Sequence, residues 1–437
     1  MQNAETSSRN APLTILHTIV PLSLMVLCPF FAIILWYTFT ELDGSVANLV
    51  SQFSFDAVRN VYAPLFFGSP AAFGMIAVFV AFELLLMRLL PGADFKGPMT
   101  PAGNIPVYKA NGVGAFVITV ATFCLFSFQF GLFSPTIIYD HFGELIGALN
   151  LVSFLFCGML YLKGRHFPSS TDNGMTGNFI FDFYWGTELY PRLFGFDVKM
   201  FTNCRFGMMS WSLIILSFAA KQSELFGLSN GMLVAVALQL AYVGKFFWWE
   251  TGYLGSLDIM HDRAGFYICW GCMVWVPSVY TSPILFMVNH PMEWMTPLAL
   301  LILMAGITFI FMNYFADRQR QLVRQTKGEC LVWGKKPELI MATYRTESGD
   351  TKHSLLLLSG YWGISRHFHY VPEILAAFCW SLPAGLSFGL PYFYVLFLTI
   401  LLTHRAIRDD ERCAKKYGSF WKQYCERVPS KIIPGIY

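Results

Sequence analysis

At 437 residues, 55% of them hydrophobic, 17% aromatic and only 13% charged, with a mean hydropathy of +0.50, the chain is too apolar for a soluble globular protein and reads as a polytopic membrane protein. Its net charge of +3 is too small to argue for nucleic acid as a partner, and the positive residues gather at the ends of apolar runs, where they act as topology signals. Ten cysteines without paired zinc-type spacing, several inside apolar runs such as Cys28, Cys124 and Cys157, predict neither a disulfide framework nor a metal site.

Backbone amides in lipid need internal partners, so the expected fold class is all-α: about ten transmembrane helices with a cytoplasmic-facing C-terminal region. The alternating ten-residue segments of an outer-membrane barrel do not occur. In chain order, residues 1–13 are polar and predict a disordered tail. The apolar run from 14 to 38 is longer than a signal-peptide core and no small-residue cleavage pattern follows it, so it is expected to stay as the first span. Further spans are expected near 71 to 90, 113 to 134, 142 to 162, 206 to 220, 227 to 247, 266 to 288, 296 to 315, 371 to 387 and 390 to 404. From a cytoplasmic N-terminus, this count gathers nearly all loop Lys and Arg on one side and leaves only Arg59 and Lys221 on the other. Both termini are therefore expected in the cytoplasm.

Three connections depart from simple loops. Gly164 to Arg205 is too aromatic for a solvated loop and too polar for a span, so it is expected at the membrane interface or folded back into the bundle. Arg318 to Lys352 carries Arg318, Arg320, Arg324, Lys327, Lys335 and Lys336 and reads as a basic cytoplasmic loop. From Val371 to His404 the chain has to cross and return in two legs of about 16 residues, roughly 24 Å each, against a hydrocarbon core of about 30 Å. Pro383, Gly385, Gly389 and Pro391 are expected to make the turn.

Chemistry-bearing residues concentrate in the last third. On a helix, Arg405, Arg408, Asp409, Arg412, Cys413 and Lys416 share one broad face, followed by an aromatic stripe of Tyr417, Trp421 and Tyr424. Charge alone reads as a positive-inside signal and anionic-lipid anchor. The short final span and the aromatic stripe favour instead a phosphate-rich cofactor, with Arg and Lys for phosphates, a carboxylate for a ribose or amide, and ring faces for bases. Neither GxGxxG after a strand nor GxxxxGK[ST] occurs, so such a site is neither Rossmann nor P-loop. In WWETGYLGSLDIMHDRAGFY, Trp248 to Tyr267, Glu250, Tyr253, Asp258, His261 and Asp262 cluster among apolar neighbours. They read either as an interfacial loop with an Asp cap or as groups that hold or relay a proton. In SGYWGISRHFHY, Ser359 to Tyr370, the two histidines are spaced wrongly for one metal on a helix. Glu83, alone in the second span, is expected to pair internally.

The stretches LLLLSGYWGISRHFHY, LLTHRAIRDDERCAKKYGSFWKQY and VPSKIIPGIY, with PVYKANG, DFYWGTELYPR and CLVWGKKP upstream, resemble the sterol reductases of the endoplasmic reticulum. This is the family of the Δ14- and Δ7-sterol reductases and the membrane part of the lamin B receptor. GKFFWWETGYLGSLDIMHDRAGFYICWGCMVWVPSVYTSP and the C-terminal third are most similar to the Δ7 branch. The resemblance implies NADPH-dependent reduction of the C7–C8 double bond of a 5,7-diene sterol, with Δ14 reduction as the alternative. It implies a sterol pocket within 14–316 and a cofactor region within 317–437. Partners would be the sterol, the lipid bilayer and other sterol-biosynthesis enzymes, in the endoplasmic reticulum or, for a bacterial chain, the inner membrane.

Cofactor contacts carried over by the resemblance fall on Arg320, Arg324, Leu357, Trp362, His369, Tyr370, Asp409, Cys413, Lys416, Tyr417 and Tyr424, with Arg405 close by. His369 stands where the family commonly has Asn, and Arg320 where a Lys is familiar. An isolated ring alkene accepts hydride poorly, so a proton arrives first or with it. Protonating C8 of a 5,7-diene leaves an allylic cation at C7, and Tyr424, Tyr253, Glu250 and Asp258 are the candidates for the proton path. The C-terminal third also resembles membrane methyltransferases of the isoprenylcysteine type, whose RHPxYxG motif is here RHFHY without the Pro and later Gly. A non-enzymatic scaffold like the lamin B receptor is the third alternative.

Overall fold

The computed structural model describes residues 15–100, 102–345 and 351–436; the tail expected to be disordered, 1–13, lies outside the described residues. Eight helical segments among those described are long and apolar enough to cross a membrane: Ile15–Glu41, Phe55–Leu89, Gly112–Gln129, Phe142–His166, Asn230–Trp248, Phe266–Asn289, Thr296–Gln325 and Leu390–Tyr417. They account for eight of the ten expected spans. The fifth and ninth are helical too, but Met200–Phe226 carries Arg205, Lys221, Gln222 and Glu224, and Tyr370–Ser381 has only 12 residues.

The chain divides into two compact units, Met1–Met232 with Phe246–Pro291, and Leu233–Lys245 with Met292–Tyr437. In the first unit the helices α1 (Val20–Glu41) and α4 (Phe142–His166) pack on the span Phe266–Asn289, the most buried of the eight, while α2 (Pro70–Leu89) packs on α4 and on α3 (Gly112–Cys124). Asn150 joins three of these segments, because its Oδ1 accepts from Trp270 Nε1 at 2.8 Å and its Nδ2 donates to the Pro29 carbonyl at 3.4 Å. In lipid a buried amide of this kind has no water to fall back on, so both ends are satisfied by protein. The same span is π-helical over Gly271–Tyr280, where Pro277 lacks the N–H that a regular ladder would use.

The connection 164 to 205 folds back into this unit. It forms a short helix, Phe179–Trp185, and a hairpin of β3 (Arg192–Leu193) and β4 (Phe196–Asp197), after an earlier hairpin of β1 (Ala93–Lys96) and β2 (Val107–Ala110). Glu188, 3% exposed, holds Lys163 at 2.7 Å, and Asp182 accepts from the Thr176 amide at 2.9 Å. These pairs explain why so polar a stretch stays packed.

The second unit corrects two expectations. Arg318 to Lys352 is not a loop. The helix α5 (Thr296–Gln325), 30 residues long, runs past the apolar stretch and carries Arg318, Arg320 and Arg324 as its last turns. Beyond it, β5 (Leu339–Arg345) pairs antiparallel with β6 (Thr351–Leu357), in register from Leu339–Leu357 to Arg345–Thr351. Nor are the final legs equal. The first is the short α6 (Tyr370–Ser381) ending in a 3₁₀ turn at Leu382–Ala384, while the second, α7 (Phe393–Tyr417), is one 25-residue helix that carries the charged face as its continuation. α6 is held by close contact with its neighbours. At Gly306 of α5 an added Cβ would lie 2.5 Å from Leu238 and 3.2 Å from Cys379 of α6. The short α8 (Ser419–Arg427) closes the unit.

Candidate cofactor site

All eleven positions carried over from the family, and Arg405 with them, lie in the second unit. α5 presents Asp317, Arg320 and Arg324 on one face, at spacings of three and four. The Arg320 guanidinium stands 4.0 Å from the centroid of the Trp362 ring and 3.5 Å from the Asp317 carboxylate. Trp362 is fixed in turn, since its Nε1 donates to the Ala316 carbonyl at 2.7 Å and its ring is buried with Val323, Val332 and Leu357. The neighbouring Tyr361 amide donates to Gln319 Oε1 at 3.0 Å. That clasp requires Gly360, whose φ is +64° and whose Cβ, if present, would stand 2.2 Å from Gln319 Oε1.

α7 supplies a second set. Asp409 is ion-paired with Arg412 and lies 3.9 Å from His367 Nε2, and Cys413 Sγ is 3.9 Å from Asp409 Oδ2. Lys416 Nζ sits 4.2 Å from the Tyr344 ring and 5.2 Å from that of Tyr417, whose hydroxyl donates to Ser354 Oγ at 3.3 Å. Tyr424 donates to the Trp362 carbonyl at 3.2 Å, and burial pushes its phenol up, so the proton stays on. Arg405 acts on Tyr370.

The two sets are electrostatic neighbours. Arg320 acts on Asp409, Cys413, Tyr424, His367 and His369, while Arg324 meets Arg320, Arg412, Tyr417 and Cys413. Three guanidiniums thus converge where Asp409 and Asp317 are the nearby carboxylates, and such an excess is relieved by an anion with several oxygens. Ring faces line the same place. Trp362 and His369 have centroids 5.0 Å apart, His369 and Tyr370 4.2 Å, and His367 stacks on Tyr370 at 5.3 Å with planes 8° apart. Burial, and next the adjacent His369, holds His367 down to about 3; burial and then Arg320 hold His369 well below the usual imidazole range. Both rings are neutral near pH 7. The His369 Nδ1 is buried with no hydrogen-bond partner, a polar atom waiting for one.

The C-terminal residues brace this arrangement. The amides of Arg366 and His367 donate to the carbonyls of Ser430 and Lys431 at 3.0 and 2.7 Å, and Ser365 Oγ donates to that of Ile432 at 2.7 Å. Arg366 Nη1 donates to the Val428 and Pro429 carbonyls at 2.8 and 3.0 Å.

Glu250, Tyr253 and Asp258 belong to the first unit and form a separate cluster. Glu250 Oε1 accepts from Arg205 Nη1 at 2.5 Å and Oε2 from the Gly112 amide at 3.0 Å, so both oxygens are committed. The Arg205 Nη2 donates to Asn111 Oδ1 at 2.8 Å. A cleft of about 240 Å³ lined by Asn111, Gly112, Trp248, Glu250 and Thr251 opens beside them. Tyr253 packs its ring on Phe246 at 5.2 Å. Asp258 is buried, and its carbonyl, with those of Ile259 and Asp262, accepts from the fully buried Lys199 Nζ at 2.6 to 3.0 Å. His261 is exposed, so it does not share a face with Asp258 and Asp262, as a continuous helix there would require. Glu83 does pair internally, accepting from Thr119 Oγ1 at 2.6 Å.

The second unit also holds a polar chain that the sequence reading passed over. Tyr242 donates its hydroxyl proton to Glu373 Oε1; Lys245 Nζ lies 4.5 Å from the Tyr242 ring and donates to Asn313 Oδ1 at 2.8 Å; Asn313 Nδ2 donates to the His369 carbonyl at 3.0 Å. The signal was present, for Lys245 and Glu373 are ionisable residues inside apolar segments.

The chain is 56% identical to a 7-dehydrocholesterol reductase of Arabidopsis thaliana over 95% of its own length and 96% of that protein's. It is 39% identical to the 7-dehydrocholesterol reductase of Xenopus laevis over 82% and 79% of the two chains. With the Delta(14)-sterol reductase of Methylotuvimicrobium alcaliphilum it shares 35% identity over 95% and 94%. Residues 13–437 match the Ergosterol biosynthesis ERG4/ERG24 family, and the chain belongs to that family of sterol reductases.

Proposed function

We propose that the protein reduces the C7–C8 double bond of a 5,7-diene sterol with NADPH, in the membrane of the endoplasmic reticulum. The observation that carries the cofactor is Asp409 between Arg412 and Arg320, with Arg324 a neighbour of both guanidiniums, beside the ring faces of Trp362 and Tyr370 and the unsatisfied His369 Nδ1. Choice of the Δ7 bond rests on the 7-dehydrocholesterol reductase relatives. NADPH bound at this place supplies the hydride.

The chain's own residues do the rest. Arg320, Arg324, Arg412 and Lys416 bind phosphate oxygens, and Arg320, braced by the Trp362 ring, is oriented before ligand arrives. Asp409 accepts from a ribose or amide group, and His369 Nδ1 gains its missing partner. Neutral His367 and His369 add no positive charge that would oppose a cation in the sterol. The Tyr242–Glu373 pair is the proton source: with Glu373 protonated, its hydrogen passes to the Tyr242 oxygen as that hydroxyl gives its own to C8, and a carboxylate is left near Lys245. Tyr424, whose hydrogen is engaged by the Trp362 carbonyl, positions the approach to the site.

Membranes holding the protein, NADPH and a 7-dehydrosterol should yield the 7,8-dihydro product by mass, and an 8,14-diene should be spared. Asp409→Asn should raise the KM for NADPH roughly tenfold or more, the worth of a hydrogen bond to a charged group, with the fold retained. Binding of S-adenosylmethionine in place of NADPH would overturn the assignment, and reduction of only the 8,14-diene would move it to the Δ14 reaction.

A further inference from the structure

Of the turn at CLVWGKKP, only Val332 packs against the site described above, and its geometry is specific. Val332 and Lys335 exchange both backbone hydrogen bonds, at 2.8 and 3.1 Å, around a two-residue loop of Trp333 and Gly334. Both loop residues have positive φ, +50° for Trp333 and +78° for Gly334. Asn or Gly usually fills the first position of such a turn, because a bulky side chain is strained there. The strain is held by Val332, which is 5% exposed and packed with Val323, Leu357 and Trp362. With Val332 pinned inward, Leu331 and Trp333 are turned outward, 69% and 59% exposed. Two large apolar groups facing water at a strained turn call for a partner.

The depth of the turn identifies the partner's chemistry. The apolar part of α5 ends at Phe315, and charge begins with Asp317 and Arg318. Trp333 meets the Tyr361 ring edge-on at 5.1 Å, and the Tyr361 amide is tied to Gln319. Gln319 lies four residues past Phe315, about 6 Å along the helix, within the headgroup layer that borders the hydrocarbon core. Phe311, Phe315 and Leu322 of the same helix are exposed on one side. Lys327, Lys335 and Lys336 are exposed around the turn, against Glu329 and Glu338. An exposed Trp and Leu among lysines at this level match an interface whose upper layer carries negative charge.

We propose that the Glu329–Lys336 turn is an interfacial anchor that inserts Trp333 and Leu331 among the headgroups of an anionic membrane. Through Val332 and Tyr361 it fixes the height of the Trp362 wall relative to the bilayer. The inference is independent of which sterol is reduced.

The full chain would be placed in nanodiscs of phosphatidylcholine alone or with phosphatidylserine, using lipid brominated near the headgroup end of the acyl chains. The tryptophan emission of the Trp333→Phe variant, subtracted from that of the wild type, isolates the one indole. That component should be blue-shifted and strongly quenched by the bromines, more so with phosphatidylserine. Lys335→Glu with Lys336→Glu should abolish the added effect of phosphatidylserine. Circular dichroism and NADPH binding on every variant establish that the fold is kept. An indole that stays red-shifted and unquenched in both lipids overturns the proposal and leaves the turn to a protein partner. Equal quenching with and without phosphatidylserine overturns its anionic part.

Discussion

His367 is a base kept neutral by its surroundings. In the unfolded chain an imidazole takes up its proton near pH 6.5, whereas burial holds this one down to about 3 in the fold. Between those values the unfolded chain binds more protons than the native one. The contribution is therefore fully present above about pH 6.5 and is lost as pH falls toward about 3. Thermal melts of the purified protein should show the midpoint dropping below pH 6.5, and His367→Gln should make that slope shallower. An unchanged slope in the variant would place the acid sensitivity elsewhere. Gly360 shows the opposite kind of constraint, a residue present for what it lacks, since any side chain there would displace Gln319 from the Tyr361 amide.

Between elements, the first unit relies on a buried ion pair. Arg205 and Glu250 are 0% and 3% exposed at the side chain and connect the Met200–Met208 helix, the turn at Glu250 and the start of α3. Removing one partner strands the other charge, so Glu250→Ala should destabilise by about 3–5 kcal/mol, whereas Arg205→Met with Glu250→Leu together should recover most of the loss. Melting temperatures in detergent would measure both. Activity per folded molecule should persist in Glu250→Gln, because a carboxylate with both oxygens engaged is poorly placed to deliver a proton; loss of turnover with an unchanged melt would return Glu250 to the proton path. Element boundaries explain what the sequence concealed. Hydropathy ends at Phe315, but ADRQRQLVRQ contains no Gly or Pro and keeps good helix formers, so the helix outlasts the membrane by ten residues. Leaving the bilayer and leaving the helix are different events, and only the first is visible in an apolarity pattern. The β5–β6 pair was hidden likewise, since its pairing partners are read from register rather than from composition.

For the whole chain, eight segments among the described residues are long and apolar enough to cross a membrane; the expected ten passes add the helices Met200–Phe226 and Tyr370–Ser381, and an even number would return the C-terminus to the side of the N-terminus. Protease or membrane-impermeant labelling at tags on either end should reach both from the cytoplasmic face and neither from the lumen; opposite accessibility would remove one pass. The membrane class and eight of the spans were legible because bilayer thickness sets a length that hydropathy can count. The grouping of Arg405, Asp409, Cys413 and Lys416 was legible because helical spacing fixes it. That Arg320 rests on Trp362, or that Tyr242 meets Glu373, depends on tertiary packing between segments far apart in the chain. No local spacing encodes that.

The joining of Ser365–His367 to residues 428–432 also has a meaning in time. A chain emerges from the ribosome with its N-terminus first. The spans can enter the bilayer one after another, but the carbonyls of Val428 to Ile432 that hold Arg366 and the amides beside it follow the span Leu390–Tyr417 in the chain and are made after it. A nascent chain stalled before Val428 would therefore sit in the membrane with its helices in place and Ser365–His367 unbraced. A product cut before Val428 should therefore fail to bind NADPH at the proposed site, although every span precedes the cut.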